Sequence, residues 1–202
     1  MASTYANVTV LGAGHDGIVT ALGGAAAFLS ETSPEGVTVV FAAADEEAHL
    51  FGEGATARHL AAALDCRALE VSVYDDDILQ YRLFTGDDET AVGVVATEVA
   101  LEMAEAAGGS LPEPDATALV GGLGHGDAEA VSHLLRAGTE FLFESERHAA
   151  LAEALGLPMF AAGWGYNTLL ADRLGFSGGP LTEVGEPPEP AEFPDPEDFE
   201  GG

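Results

Sequence analysis

The stretch VTVLGAGHDGIVTALGGAAAFLSETSPEGVTVVFAAADE, residues 8–46, decides how the chain is expected to fold. Val8 to Leu11 is a short apolar run ending in Gly12-Ala13-Gly14. A helical pattern follows from Ile18 to Leu29, Pro34-Glu35-Gly36 marks a turn, and Val37 to Ala42 is a second apolar run. Strands this uniformly apolar suit the middle of a parallel sheet, and one helix between two of them makes a right-handed βαβ unit.

The alternation continues outward. Arg58 to Leu64 reads as helix and Leu69 to Tyr74 as strand, stopping at Asp75-Asp76-Asp77. Helical spacing returns from Thr90 to Ala107 and ends at Gly108-Gly109, and Pro112-Glu113-Pro114 leads to a fourth strand at Ala116 to Val120. Ala128 to Arg136 is a helix, Glu140 to Phe143 a strand, and Arg147 to Leu155 a helix closed by Gly156. Met159 to Ala162 is a last short strand before a helical Leu169 to Leu174. The expected fold is therefore α/β: a three-layer α/β/α sandwich with a mostly parallel, doubly wound sheet, forming one domain over residues 1–184. Residues 185–202 are proline-rich and acidic, with Phe193 and Phe199 as the only large apolar side chains, and are expected to be a disordered tail.

Composition narrows the setting. Acids outnumber bases 35 to 6, every base is an arginine, and net charge is −29. Molar salt shrinks the Debye length to roughly 3 Å and removes most of the repulsion such charge creates, so the chain reads as halophilic. Nucleic acid is an unfavourable partner, because its affinity comes from clustered Lys and Arg. The N-terminus lacks the pattern of a signal peptide, and no stretch approaches the roughly 20 apolar residues of a membrane span, so a cytoplasmic location away from membranes is expected. Cys66 is the only cysteine, which excludes an internal disulfide and a cysteine zinc cluster. The oligomeric state is left open.

Two loops carry chemistry. Gly12-Ala13-Gly14-His15-Asp16-Gly17 is a GxGxxG between a strand and a helix, where Gly12, Gly14 and Gly17 would let backbone N–H groups approach a pyrophosphate, with Asp45-Glu46 placed to hold a ribose. The same glycines equally suit a tight turn and close helix packing without any ligand. Gly121-Gly122-Leu123-Gly124-His125-Gly126-Asp127 is the second loop. In a parallel sheet both would sit at the carboxyl ends of strands, bringing His15, Asp16, His125 and Asp127 around one small-molecule ligand. Those residue types suit a divalent metal, zinc or manganese, held by His15 and Asp127. Trp164 reads as core or as a pocket wall.

These motifs resemble the LmbE/PIG-L family of zinc-dependent N-deacetylases. That family opens with a strand, an A-H-P-D-D-E-type loop, a Gly-Gly segment and a second strand with an acidic end, similar to Gly14 to Gly17, Gly23-Gly24 and Val37 to Glu46 here. Its third strand commonly ends near an aspartate such as Asp75 to Asp77, and its H-P-D-H-type motif is similar to His125-Gly126-Asp127-Ala128. The resemblance implies Asp16 as general base and His125 as the catalytic histidine. The family's metal-binding His, Asp and second His fall on Gly14, Gly17 and Ala128, so the usual zinc site is not retained. The resemblance thus implies a degenerate deacetylase or a small-molecule-binding derivative. A dinucleotide-binding domain of Rossmann type and a non-catalytic scaffold that docks through its acidic tail are the alternatives.

Overall fold

A computed structural model describes residues 3–47, 53–97, 99–102, 111–136 and 141–188. His49, Glu140, residues 103–110 and residues 189–202, the larger part of the expected tail, lie outside these. The described chain forms one seven-stranded sheet. The strands are β1 (Tyr5–Leu11), β2 (Ala27–Ser30), β3 (Val37–Ala42), β4 (Arg67–Tyr74), β5 (Ile78–Thr85), β6 (Asp88–Ala96) and β7 (Leu181–Val184). The helices are α1 (His15–Leu22), α2 (Ala43–Glu47), α3 (Ala55–Leu64), α4 (Ala116–Leu123), α5 (Ala128–Leu134), α6 (Glu144–Ala154) and α7 (Tyr166–Ala171).

Every strand pair is antiparallel, in the order β6-β5-β4-β1-β3-β2-β7, and this overturns the expected mostly parallel, doubly wound sheet. The cause lies at Gly23-Gly24. The run Ile18 to Leu29 is not one helix: α1 ends at Leu22, and Gly23 takes the left-handed conformation with φ +61 while its N–H donates to the Thr20 carbonyl. Gly24 follows with φ +90, and Ala27–Ser30 leaves as a strand. The expected turn at Pro34-Glu35-Gly36 then joins β2 to β3 rather than a helix to a strand, and the Gly36 N–H donates to Ser33 O at 2.9 Å. This additional crossing reverses β3, which returns between β2 and β1, with Val8 opposite Val40.

The same happens once more. From β3 the chain crosses through α2 and α3 to β4, which pairs with the far side of β1, Tyr5 opposite Val73 and Leu11 opposite Arg67. Two split β-α-β units thus interleave in the order β4-β1-β3-β2, the ferredoxin-like arrangement, with β5 and β6 added at one edge and β7 at the other.

Helices cover both faces. Val8, Val10, Ala68 and Phe84 pack under α1 and α3, through Ile18, Leu22, Ala57 and Leu60. The alternate residues Leu69, Val71, Leu79 and Leu83 pack under α4, α5 and α6, and Phe28 and Phe41 under α7. The period-2 alternation of each strand divides its side chains between these two cores. Ala116 to Val120, expected as a strand, is helix α4, capped by Asp115, whose carboxylate accepts the Ala118 N–H at 2.9 Å. Thr90 to Ala96, expected as helix, belongs to β6, and Met159–Ala161 is a 3-10 turn.

Gly93 in β6 faces Tyr81 in β5, whose hydroxyl accepts the Asp115 N–H at 2.8 Å and so fixes the ring. A Cβ at residue 93 would lie 2.6 Å from that ring. Gly93→Ala is expected to lower stability by about 2 kcal/mol, read by chemical denaturation, and an unchanged midpoint would show that the ring yields.

Candidate functional site

The two glycine loops occupy one end of the sheet but flank opposite faces. Leu11 at the end of β1 pairs with Arg67, whose guanidinium donates to the Leu123 carbonyl at the end of α4. From there Gly12 leads to α1 on one face, while His125 and Asp127 lie with α4 and α5 on the other. Gly12 has φ +89 and its N–H donates to Gly36 O at 3.0 Å, so the first glycine of the motif is already engaged within the fold. Gly14 caps α1, and Gly17 faces Leu64 of α3 at packing distance. His15 is half-buried and Asp16 exposed.

In the second loop, Gly121 and Gly122 are helical, part of α4. His125 Nδ1 lies 2.8 Å from the Leu155 carbonyl. Asp127 caps α5, accepting the N–H groups of Glu129 at 3.0 Å and Ala130 at 3.1 Å. Among the described residues, no hydrogen bond or ion pair links His15 or Asp16 to His125 or Asp127, and no three His, Cys, Asp or Glu side chains gather as a metal ion would require. Trp164 packs edge-on against Phe176 at 5.4 Å, a core contact.

A different polar group stands out on the α1–α3 face. Within β4 the side chains of Ala68, Glu70 and Ser72 point to that face, and in β5 Gln80, Arg82 and Phe84 do the same. The register sets Glu70 opposite Arg82 and Ser72 opposite Gln80. Asp45 reaches them from α2, and its carboxyl accepts from the hydroxyl and the N–H of Thr56 in the first turn of α3. Glu70 is 5% exposed and Asp45 7%. Ser72 Oγ lies 3.4 Å from Glu70 Oε1, and Arg82 Nη1 bonds Glu89 Oε1 at 2.6 Å.

Burial dominates the electrostatics here. It pushes the Glu70 carboxyl up to about 8, with the nearby Asp45 adding to the rise and Arg82 opposing it. It pushes Asp45 up to about 6 against the Thr56 hydrogen bonds. Near neutral pH the two acids therefore favour different protonation states, one largely neutral and one largely charged. Asp45 Oδ2, Glu70 Oε2 and Arg82 Nε are buried without a hydrogen-bond partner.

Sequence reading singled out Asp45 as a ribose holder but missed Glu70 and Arg82. Their signal was two polar residues, Glu70 and Ser72, at alternate positions of a strand whose residues 68, 69, 71 and 73 are apolar, repeated by Gln80 and Arg82 in a strand left unread. Glu46, beside Asp45 in sequence, faces the other way, accepts the Asn167 N–H at 2.8 Å, and is raised to about 7 by burial.

Two hollows lie elsewhere. One, of about 10 Å³, lies between α6 and the sheet beside Thr9 and His148, room for a single water. His148 there stacks on Tyr5, with Nδ1 3.0 Å from its hydroxyl, and burial lowers its pKa to about 4. The other, of about 460 Å³, is an open groove between Asp75–Asp77 and Leu142–Phe143. The Asp76 carboxylate in it is occupied by the N–H groups of Ser3 at 2.7 Å and Ser145 at 3.4 Å. Burial alone would raise Asp76, and the bonds from Ser145 and Ser3 together more than reverse that.

Comparison with protein-family models, with curated proteins and with solved structures gave no match for this chain. None of these comparisons bears on the resemblance to the N-deacetylases. Among the described residues no helix is long and apolar enough to cross a membrane.

Proposed function

We propose that this chain is a small-molecule-binding domain whose site is the Asp45–Glu70–Arg82 cluster between α2, the start of α3 and β4–β5. One observation carries the reading: two buried carboxyl groups, Asp45 and Glu70, and the half-buried Arg82 come from separate segments, and each keeps a buried polar atom unmatched. An unmatched buried donor or acceptor costs roughly 1–3 kcal/mol, and three in one place favour a state in which a guest supplies the missing partners. Arg82 and Glu89 keep 16% and 29% of their side chains exposed, so the cluster meets solvent along β5–β6. A ferredoxin-like sheet serves many functions, so the site and not the fold supports this reading.

The test is a thermal-shift panel of primary amines, amino acids, small amides and polyols at about 10 mM, in molar KCl as the acid-rich composition leads one to expect. At least one probe is expected to raise the melting temperature of the wild-type chain and to leave an Asp45→Asn, Glu70→Gln double variant unmoved. A panel with no active member, or one equally active on both chains, would remove the cluster as a binding site.

A further inference from the structure

Resting on that reading, we infer that the guest is a compact zwitterion of the α-amino acid type, its ammonium held by Asp45 and Glu70 and its carboxylate by Arg82. The unmatched atoms set the specification: two carboxyl oxygens that accept, Asp45 Oδ2 and Glu70 Oε2, and one guanidinium donor, Arg82 Nε. A simple amine answers the first two and leaves the third empty, while a simple carboxylate does the reverse. A molecule with both groups on neighbouring atoms answers all three at once.

The arginine has a donor to spare. Its Nη1 is committed to Glu89 at 2.6 Å, Glu70 is its cross-strand partner, and its Nε has no partner of its own among the described residues. The Nε edge of a guanidinium presents two parallel N–H groups, the geometry that takes a carboxylate in bidentate fashion. Charge agrees with the same conclusion. Asp45 and Glu89 against the single Arg82 leave the cluster acidic even while Glu70 keeps its proton, so an ammonium is favoured over an anion that lacks one.

The closeness of the surroundings limits the size of the guest. Gly54 begins α3 with φ +66, and a Cβ there would lie 2.8 Å from the Phe84 ring and 3.2 Å from Arg82 Cδ. The α3 turn therefore sits directly on the arginine stem, which points to small amino acids such as glycine or alanine rather than bulky ones.

The experiment compares glycine, methylammonium and acetate, each at about 100 mM in molar KCl, by melting temperature. Glycine is expected to raise it by about 3 °C, the shift for a ligand near ten times its dissociation constant, with the other two giving less than a third of that. Arg82→Met, checked for native circular dichroism, is expected to abolish the glycine shift while leaving the methylammonium response as it was. Methylammonium or acetate matching glycine on the wild-type chain overturns the zwitterion and leaves the binding reading in place. No response to any of the three also overturns it, and the wider panel then decides the binding reading separately. Glycine acting equally on wild type, Arg82→Met and Glu70→Gln overturns the assignment of the ligand to this cluster. The wild-type comparison stands even if a variant fails to fold.

Discussion

Replacing Arg147 by methionine is expected to destabilise the chain by about 3–5 kcal/mol, as for other buried ion pairs that lose one partner. Arg147 is 2% exposed, and its Nε donates to Glu144 Oε2 at 2.6 Å. Its Nη1 donates to the Leu134 carbonyl and, at 3.1 Å, to that of Arg136, so one side chain ties the start of α6 to the end of α5. The guanidinium also lies over the Phe141 ring at 5.1 Å. Methionine fills a similar volume but leaves the Glu144 carboxylate, 4% exposed, without its counter-charge. Burial already raises the Glu144 pKa against the pull of Arg147, and removing the arginine raises it further. The defect is therefore expected to be larger at pH 8 than at pH 5, because a raised carboxyl without its counter-charge costs more as pH rises. Denaturation at both pH values reads this out, and a loss below about 1 kcal/mol would mean that the pair is solvated.

Glu70→Gln is expected to stabilise the chain in alkaline buffer, by roughly 4 kcal/mol at pH 8 and by only about 1 kcal/mol at pH 5. The sign follows from proton counts. In the folded chain Glu70 keeps its proton until about 8, whereas in the unfolded chain it loses it near the ordinary value of 4.5. Between those limits the folded state binds more protons, so stability is fully present below 4.5 and is lost as pH rises through about 8. Asp45 and Glu46 act in the same direction, over windows closing near 6 and 7. His148 acts in reverse: its folded value of about 4 lies below the ordinary 6.5, so its contribution is present above 6.5 and lost as pH falls toward 4. The wild-type chain should accordingly be most stable in mildly acidic solution. Parallel stability curves for wild type and Glu70→Gln from pH 5 to 8 would show that Glu70 titrates as an exposed acid does.

What the sequence showed plainly were segments whose pattern has one physical meaning. The run Val37 to Ala42 is apolar at every position but one, and it is a strand in the sheet interior. Arg58 to Leu64 and Arg147 to Leu155 have helical spacing and lie within α3 and α6, shifted by a few residues. Turn signals bound these runs, Pro34-Glu35-Gly36 ahead of Val37 and Gly156 after Leu155, so their ends were legible as well. The stretch Ile18 to Leu29 was different, because a short apolar run is compatible with helix or strand and the two halves merge into one apparent period. Gly23-Gly24 was the available break. Passing over it removed one crossing and turned an antiparallel sheet into a parallel one. The candidate site suffered from the same error, since a parallel sheet would have placed both glycine loops around one ligand. Glu70 and Arg82 become neighbours only through the pairing of β4 with β5, a register that no local pattern states.

The strand nearest the amino terminus is also the one at the middle of the sheet, flanked by β3 and β4. Of the strands of this sheet it is made first, and its partners Val37–Ala42 and then Arg67–Tyr74 follow later. An apolar segment must therefore wait unpaired while its neighbours are synthesised, and closing those distant contacts makes for slow folding. The segment just ahead of it is tied down only later still, when the Ser3 N–H meets Asp76 beyond the end of β4.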